Sequence, residues 1–172
     1  MSWLLGLAGA LVVLDQATKA LAIEWFRGEP AIVFLEGFFR FTYAENRGAF
    51  LSLGGGLSEG MRFWLLTGLN GVILTAVLVV ICRQPQMRLG VALALTLIFA
   101  GGVGNLIDRL LRGGIVVDFM NFDLGFSLGP IPMRTGVFNV ADLAIMGGLF
   151  LLIGLEFLPR RRKTADTETA VD

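Results

Sequence analysis

Two stretches of this chain, Leu65–Cys82 and Leu89–Ile107, contain no charged side chain. A helix needs about 20 mostly apolar residues to cross a bilayer. Two more stretches have the length but carry interruptions: Trp3–Ile23 holds Asp15 and Lys19, and Val137–Leu155 holds Asp142. With 55% hydrophobic residues in 172, a soluble domain has too little interior to hide the apolar surface. The expected fold is membrane α-helical: a four-transmembrane-helix bundle with helices near 3–23, 62–82, 89–108 and 137–157. One membrane-embedded domain is expected over 1–163, with a disordered cytoplasmic tail over 164–172. The first apolar run has no basic leader and continues past Asp15, so it is expected to be a retained helix rather than a cleaved signal.

Lys and Arg in short loops set the orientation. Arg83 and Arg88 crowd the turn between the second and third helices, and Arg160, Arg161, Arg162 and Lys163 follow the fourth. The arginines of the loops 24–61 and 109–136 are spread over longer segments. Both termini are therefore expected in the cytoplasm and both long loops outside. Phe39, Phe41 and Tyr43 alternate with Arg40 and Thr42, and Ile115, Val117 and Phe119 alternate again after a Gly113–Gly114 turn. That is strand spacing. The two loops are expected to pair into a small extracytoplasmic β-sheet on the membrane surface; the plainer alternative is two unrelated extended loops. Gly54–Gly56 reads as a flexible connector, with Ser58 as an N-cap.

The absences are as informative. The chain has no histidine and one cysteine, Cys82. A Ser-His-Asp triad, a Cys-His pair, a His-ligated zinc and an internal disulfide are all excluded. Carboxylates remain as the main acid–base groups. No cofactor or metal is expected, and zero net charge gives no reason to expect a nucleic-acid partner.

With this orientation the polar groups within the helices gather in the outer half of the bundle. Asp15 lies about 12 Å below the outer end of its helix, Asn105 and Asp108 end the third, and Asn139 and Asp142 open the fourth. Asp15 and Lys19 share a helix face at i, i+4, which suits an ion pair that neutralises both; direct catalysis is the alternative. Asp108 and Arg109 suit either interfacial anchoring or a site. Asp142 has no cation one turn away, and Asp118 sits in the apolar run Val116–Phe119, so both are candidates for function. Gly101, Gly102, Gly104, Gly147 and Gly148 would provide either smooth helix surfaces where acyl chains could lie or ordinary close packing.

In order, the chain reads Asp15-Gln16-Ala17-Thr18-Lys19, Asn46-Arg47-Gly48-Ala49-Phe50, Gly104-Asn105-Leu106-Ile107-Asp108-Arg109, Gly114-Ile115-Val116-Val117-Asp118-Phe119 and Phe138-Asn139-Val140-Ala141-Asp142. This series resembles the lipoprotein signal peptidases, the type II signal peptidases of bacteria, over nearly the whole chain. The resemblance implies a monomeric aspartyl endopeptidase of the inner (plasma) membrane, surrounded by membrane lipids. It implies prolipoprotein substrates, cut just before a lipobox cysteine that already carries a diacylglyceryl group. It places catalytic roles on Asp118 and Asp142, and supporting or ligand-contacting roles on Asp15, Lys19, Asn46, Asn105, Asp108, Arg109 and Asn139. One departure is visible: the family often has two alanines after the glycine of the first-loop motif, and here Phe50 follows Ala49 directly.

Two carboxylates suffice for peptide hydrolysis, because like-charge repulsion leaves one proton shared between them. Asn105, Asn139 and Arg109 are expected to hold the peptide backbone or lipid ester oxygens. The competing readings are a proton-coupled transporter relaying through Asp15, Lys19 and Asp142, a magnesium-dependent lipid transferase, and a non-catalytic scaffold. The transporter predicts polar groups through the full bilayer depth. The transferase predicts carboxylates on adjacent helical turns. Neither pattern is present in the sequence.

Overall fold

In the computed structural model, which describes residues 2–48, 58–84 and 86–157, both long connections join one small sheet. The order is α1 (Ser2–Phe26), β1 (Ile32–Phe34), a short turn Leu35–Gly37, β2 (Phe39–Asn46), α2 (Glu59–Arg83), α3 (Leu89–Leu111), β3 (Val116–Leu128), β4 (Ile131–Arg134) and α4 (Val140–Phe157). The four helices are long and apolar enough to cross a membrane. Gly54–Gly56, the end of the first-loop motif at Ala49 and Phe50, the Arg160–Lys163 run and the tail 164–172 lie outside the described residues.

The starts of α2 and α4 are fixed by caps. Ser58 caps α2 through its Oγ, which accepts from Met61 N at 3.3 Å. Apolar residues alone place the start of α4 at Val137. Instead Phe138 forms a β-bridge with Met120, Asn139 becomes the cap, and helical hydrogen bonding begins with Leu143 N to Asn139 O. α1 runs on to Phe26 and α3 to Leu111, past the last uninterrupted apolar residues.

α3 packs against each of the other three helices. Its buried residues are almost all small: Ala92, Ala94, Thr96, Ala100, Gly101, Gly102 and Gly104. Small residues let backbones approach closely where no hydrophobic force draws helices together in lipid. A β-carbon on Gly101 would strike the Ala141 carbonyl oxygen, and one on Gly148 would lie 2.6 Å from that of Ala94. One on Gly102 would meet Leu74 at 2.6 Å, and one on Gly104 would meet Asp15 Oδ2 at the same distance. These four glycines therefore serve helix contact rather than an open lipid-facing surface; Gly147 has open space beside it.

The strands form one antiparallel sheet in the order β1-β2-β3-β4. The alternation of Phe39, Phe41 and Tyr43 with polar neighbours is thus strand alternation. Phe41 stacks on Phe26 at 5.6 Å between ring centroids, which ties the sheet to the end of α1. Val117 and Phe119 pack with Ala22 on the same side. Between Phe41 and Ala44 the β2–β3 register slips by one residue. A bulge of this kind bends a strand and re-aims its side chains, and here it lies beside Asp118, which pairs with Ala44. Alternation then turns Asp118 away from Val117 and Phe119 and toward the start of α4.

Candidate active site

Lys19 is the hub of the buried polar groups. Its ammonium lies 2.8 Å from Asp15 Oδ2 and 3.3 Å from Asp108 Oδ2, and it donates to Asn105 Oδ1 at 3.0 Å. Three acceptors match its three N–H donors. Asp15, Lys19 and Asp108 are each at most 1% exposed. Arg112 Nε approaches Asp108 Oδ1 at 3.4 Å, so two cations face two carboxylates. Such a cluster is tolerable in an apolar bundle because its charges balance and its carboxylates and ammonium meet partners. Asp108 is thus no interfacial anchor: it belongs to the interior.

The cluster also fixes backbone. Asp15 Oδ1 accepts from Ala141 N at 2.8 Å, which satisfies one of the free N–H groups that open α4. Asp108 Oδ2 accepts from Val117 N at 2.9 Å, one residue before Asp118. Gln16 Nε2 donates to Asp108 Oδ1 at 3.0 Å and to Gly104 O at 3.1 Å. Helix α1 therefore positions the start of β3 through Asp108 and the start of α4 directly.

Asn105 and Asn139 carry that order to the two remaining aspartates. Asn105 Nδ2 donates to Asp142 Oδ1 at 2.8 Å while its Oδ1 accepts from Lys19 Nζ. Asn139 Nδ2 donates to Asp118 Oδ1 at 2.6 Å and reaches Asn105 Oδ1 at 3.2 Å. Asn139 is 0% exposed, and its amide is directed at Asp118. The sequence left Asn139 as either a supporting or a substrate-contacting residue; here it is buried against Asp118. Asn46 also hydrogen-bonds Asp118, and its own Oδ1 accepts from Gly48 N at 2.8 Å.

Asp118 and Asp142 line a common groove of about 750 Å³ with Asn46, Arg47, Ile145 and Met146. Burial raises the Asp118 carboxyl to about 7, and the charge of Asp142 pushes in the same direction. The Asn46 and Asn139 hydrogen bonds oppose the rise. A carboxyl that holds its proton near neutral pH beside a second carboxylate is the setting general acid–base chemistry needs. Arg109 interacts electrostatically with both, and its Nη1 donates to Gly114 O at 3.2 Å.

Every site residue named from sequence falls in or against this one network. Sequence reasoning missed Gln16, which bridges Asp15 and Asp108, and Asn70 on α2, which donates to Gly102 O at 3.1 Å. Both are uncharged amides within apolar runs, and that oddity was the available signal.

A sequence model described as signal peptidase (SPase) II matches residues 7–158. The lipoprotein signal peptidase of Chlorobium phaeobacteroides is 35% identical over 158 residues, covering 89% of each chain. That of Hydrogenovibrio crunogenus is 36% identical over 171 residues, covering 96% of this chain and 92% of its own. Among solved structures, a bacterial membrane enzyme determined by the in meso method at 1.9 Å resolution matches with a TM-score of 0.74 at 27% identity. That match covers 93% of this chain and 96% of the other.

Proposed function

The chain belongs to the signal peptidase II family of aspartic-type peptidases, and from that premise we propose that Asp118 and Asp142 hydrolyse prolipoproteins just before a diacylglyceryl-modified cysteine. The observation that carries this reading is their shared groove, in which Asp118 interacts with Asp142 while each is held by its own asparagine.

Asp118 holds the proton at rest and Asp142 is the base. Asp142 takes a proton from water as the water oxygen attacks the scissile carbonyl carbon. Asp118 gives its proton to the carbonyl oxygen, which yields a neutral tetrahedral diol. As the C–N bond breaks, Asp142 returns its proton to the leaving nitrogen. Asp118 regains a proton from the diol, and the carboxyl product forms. The Lys19 cluster and Asn105, Asn139 and Asn46 hold this geometry, and Arg109 offsets the negative charge of the pair.

The protein sits in a bacterial inner membrane with both termini cytoplasmic and the groove near the extracytoplasmic face. It acts as a monomer on a substrate delivered along the bilayer. Asp142 stands in the first turn of α4, so the scissile bond reaches it from within or beside the membrane. The lipid on the cysteine positions that bond, since each buried methylene adds about 0.8 kcal/mol to partitioning. The test compares two precursors in liposomes, identical except that one is lipid-modified and the other bears a free thiol. Signal-peptide release from the modified form alone is expected. Equal rates from both would reduce the assignment to a general intramembrane aspartic peptidase.

A further inference from the structure

A second cavity lies beside the groove and plays no part in the chemistry above. Its volume is about 210 Å³, and it is set between α2, α3 and α4. Leu66, Leu69 and Ile73 of α2 form its apolar side; Asn70, Asn105 and Arg109 form its polar side. It adjoins the groove at two places. Ile145 borders both, and Asn105 lines the second cavity while donating to Asp142 at 2.8 Å. Among the described residues α2 packs extensively only on α3. The cleft between α2 and α4 is thus floored by α3, and Leu69 and Ile73 at its edge remain 54% and 47% exposed.

Asn70 is an uncharged amide in the middle of the apolar span of α2. An amide within an apolar span is costly unless its polar atoms are used. Its Nδ2 donates to Gly102 O at 3.1 Å, but among the described residues nothing donates to its Oδ1. A strand-like peptide in the cavity needs an acceptor such as the Asn70 carbonyl for an N–H group. The cavity is also too small for a helix, which with its side chains is about 10–12 Å across. It suits one aliphatic side chain of an unwound segment.

On the reading that this enzyme cleaves lipid-modified precursors, we propose that this cavity receives an aliphatic side chain from the signal-peptide side of the scissile bond, with Asn70 accepting a backbone N–H beside it. The signal-peptide side is the side that must descend into the membrane. The α2–α4 cleft descends from Asp142, because Asn70 and Ile73 lie deeper along α2 than the groove does. Asn70 is a positioning and specificity residue; the reacting atoms stay at Asp118 and Asp142.

The experiment uses the full-length protein in liposomes with lipid-modified precursors. Each of the three residues before the scissile bond is varied in turn through Ala, Leu and Phe. Wild type, Leu69→Ala and Asn70→Leu are compared by kcat and KM. At one substrate position, wild type should prefer Leu to Phe, and Leu69→Ala should reverse or erase that preference by about tenfold or more, the range one pocket contact governs. Asn70→Leu should raise KM by about tenfold, the weight of one hydrogen bond, with kcat nearly kept. No coupling at any position, or an Asn70→Leu defect confined to kcat and thermal midpoint, would overturn the inference. Wild type that cleaves none of the lipid-modified precursors would instead overturn the functional assignment beneath it.

Discussion

Asn139 and Asp142 cap one helix reciprocally: Asp142 N donates to Asn139 Oδ1 at 2.9 Å, and Asn139 N donates to Asp142 Oδ2 at 3.2 Å. This is the geometry of a capping box. The same Asn139 donates to Asp118, so one side chain joins helix stability to the site. Asn139→Ala should cost about 1 kcal/mol through the lost cap and also lower cleavage. Asn139→Ser keeps a cap acceptor for Asp142 N, but its hydroxyl is too short to replace the amide donor to Asp118. It should therefore retain more thermal stability than Asn139→Ala and yet be no more active. Unfolding in detergent alongside cleavage assays separates the two effects; recovery of activity in Asn139→Ser would show that the donor to Asp118 is dispensable.

Asp118→Asn and Asp142→Asn should each lower turnover by at least about a hundredfold, the weight of an acid–base group. Both proteins should still insert and fold, because asparagine keeps the shape. Asp142→Asn should be the less stable of the two, since its amide cannot accept from both Asn105 Nδ2 and Asn139 N. Near-normal turnover in either variant would remove that residue from the mechanism.

Removing a charge from the Lys19 cluster should not be symmetric. Asp15→Asn leaves Lys19 paired to Asp108 and Asn105. Lys19→Met leaves two buried carboxylates facing one another, and breaking a buried pair costs about 3–5 kcal/mol. Lys19→Met should therefore lower Tm more than Asp15→Asn does. Adding Asp15→Asn to Lys19→Met should restore part of the loss. Equal destabilisation by the two single variants would mean that Asp108 does not hold Lys19 in solution.

The raised Asp118 carboxyl sets a pH dependence. As the proposed acid, it is protonated below about 7 and ionised above, so kcat/KM should fall as pH rises through about 7. Asn46 stabilises the ionised form, and Asn46→Ala should move that descending limb to higher pH. For stability the sign is the same. A carboxyl whose folded value is raised from 3.8 to about 7 stabilises the fold most in acid and loses that contribution between those values. Asp118→Asn should flatten the decline in stability across this window. An alkaline limb that ignores Asn46→Ala would assign it to another group.

A reporter fused after Lys163 should read as cytoplasmic, as the basic runs require. An extracytoplasmic signal would invert the bundle and place the groove on the opposite side of the membrane.

The architecture was legible in sequence where a physical signal is local. Apolar runs gave four helices, alternation at Phe39–Tyr43 gave a strand, and Ser58 gave a cap. What escaped depends on distant partners. Asp108 at a helix end looks like an anchor until Lys19, 89 residues earlier, is seen 3.3 Å away. The start of α4 was drawn three residues early because Val137 and Phe138 are apolar, and composition does not distinguish a β-bridge from a helical turn. Gln16 and Asn70 were passed over for want of a charge, although an amide within an apolar span poses the same problem of satisfaction.

The dependence of the groove on α4 has a consequence for synthesis. Asn139, Asp142 and the Ala141 N–H that Asp15 requires all come from the last helix to leave the ribosome. A chain that ends before α4 still holds Lys19, Asp15 and Asp108, yet it lacks the Asn139 donor to Asp118 and the partner carboxylate Asp142. On the proposed mechanism, cleavage activity therefore waits on the docking of the fourth helix, and a chain truncated before Val140 should insert but not cleave.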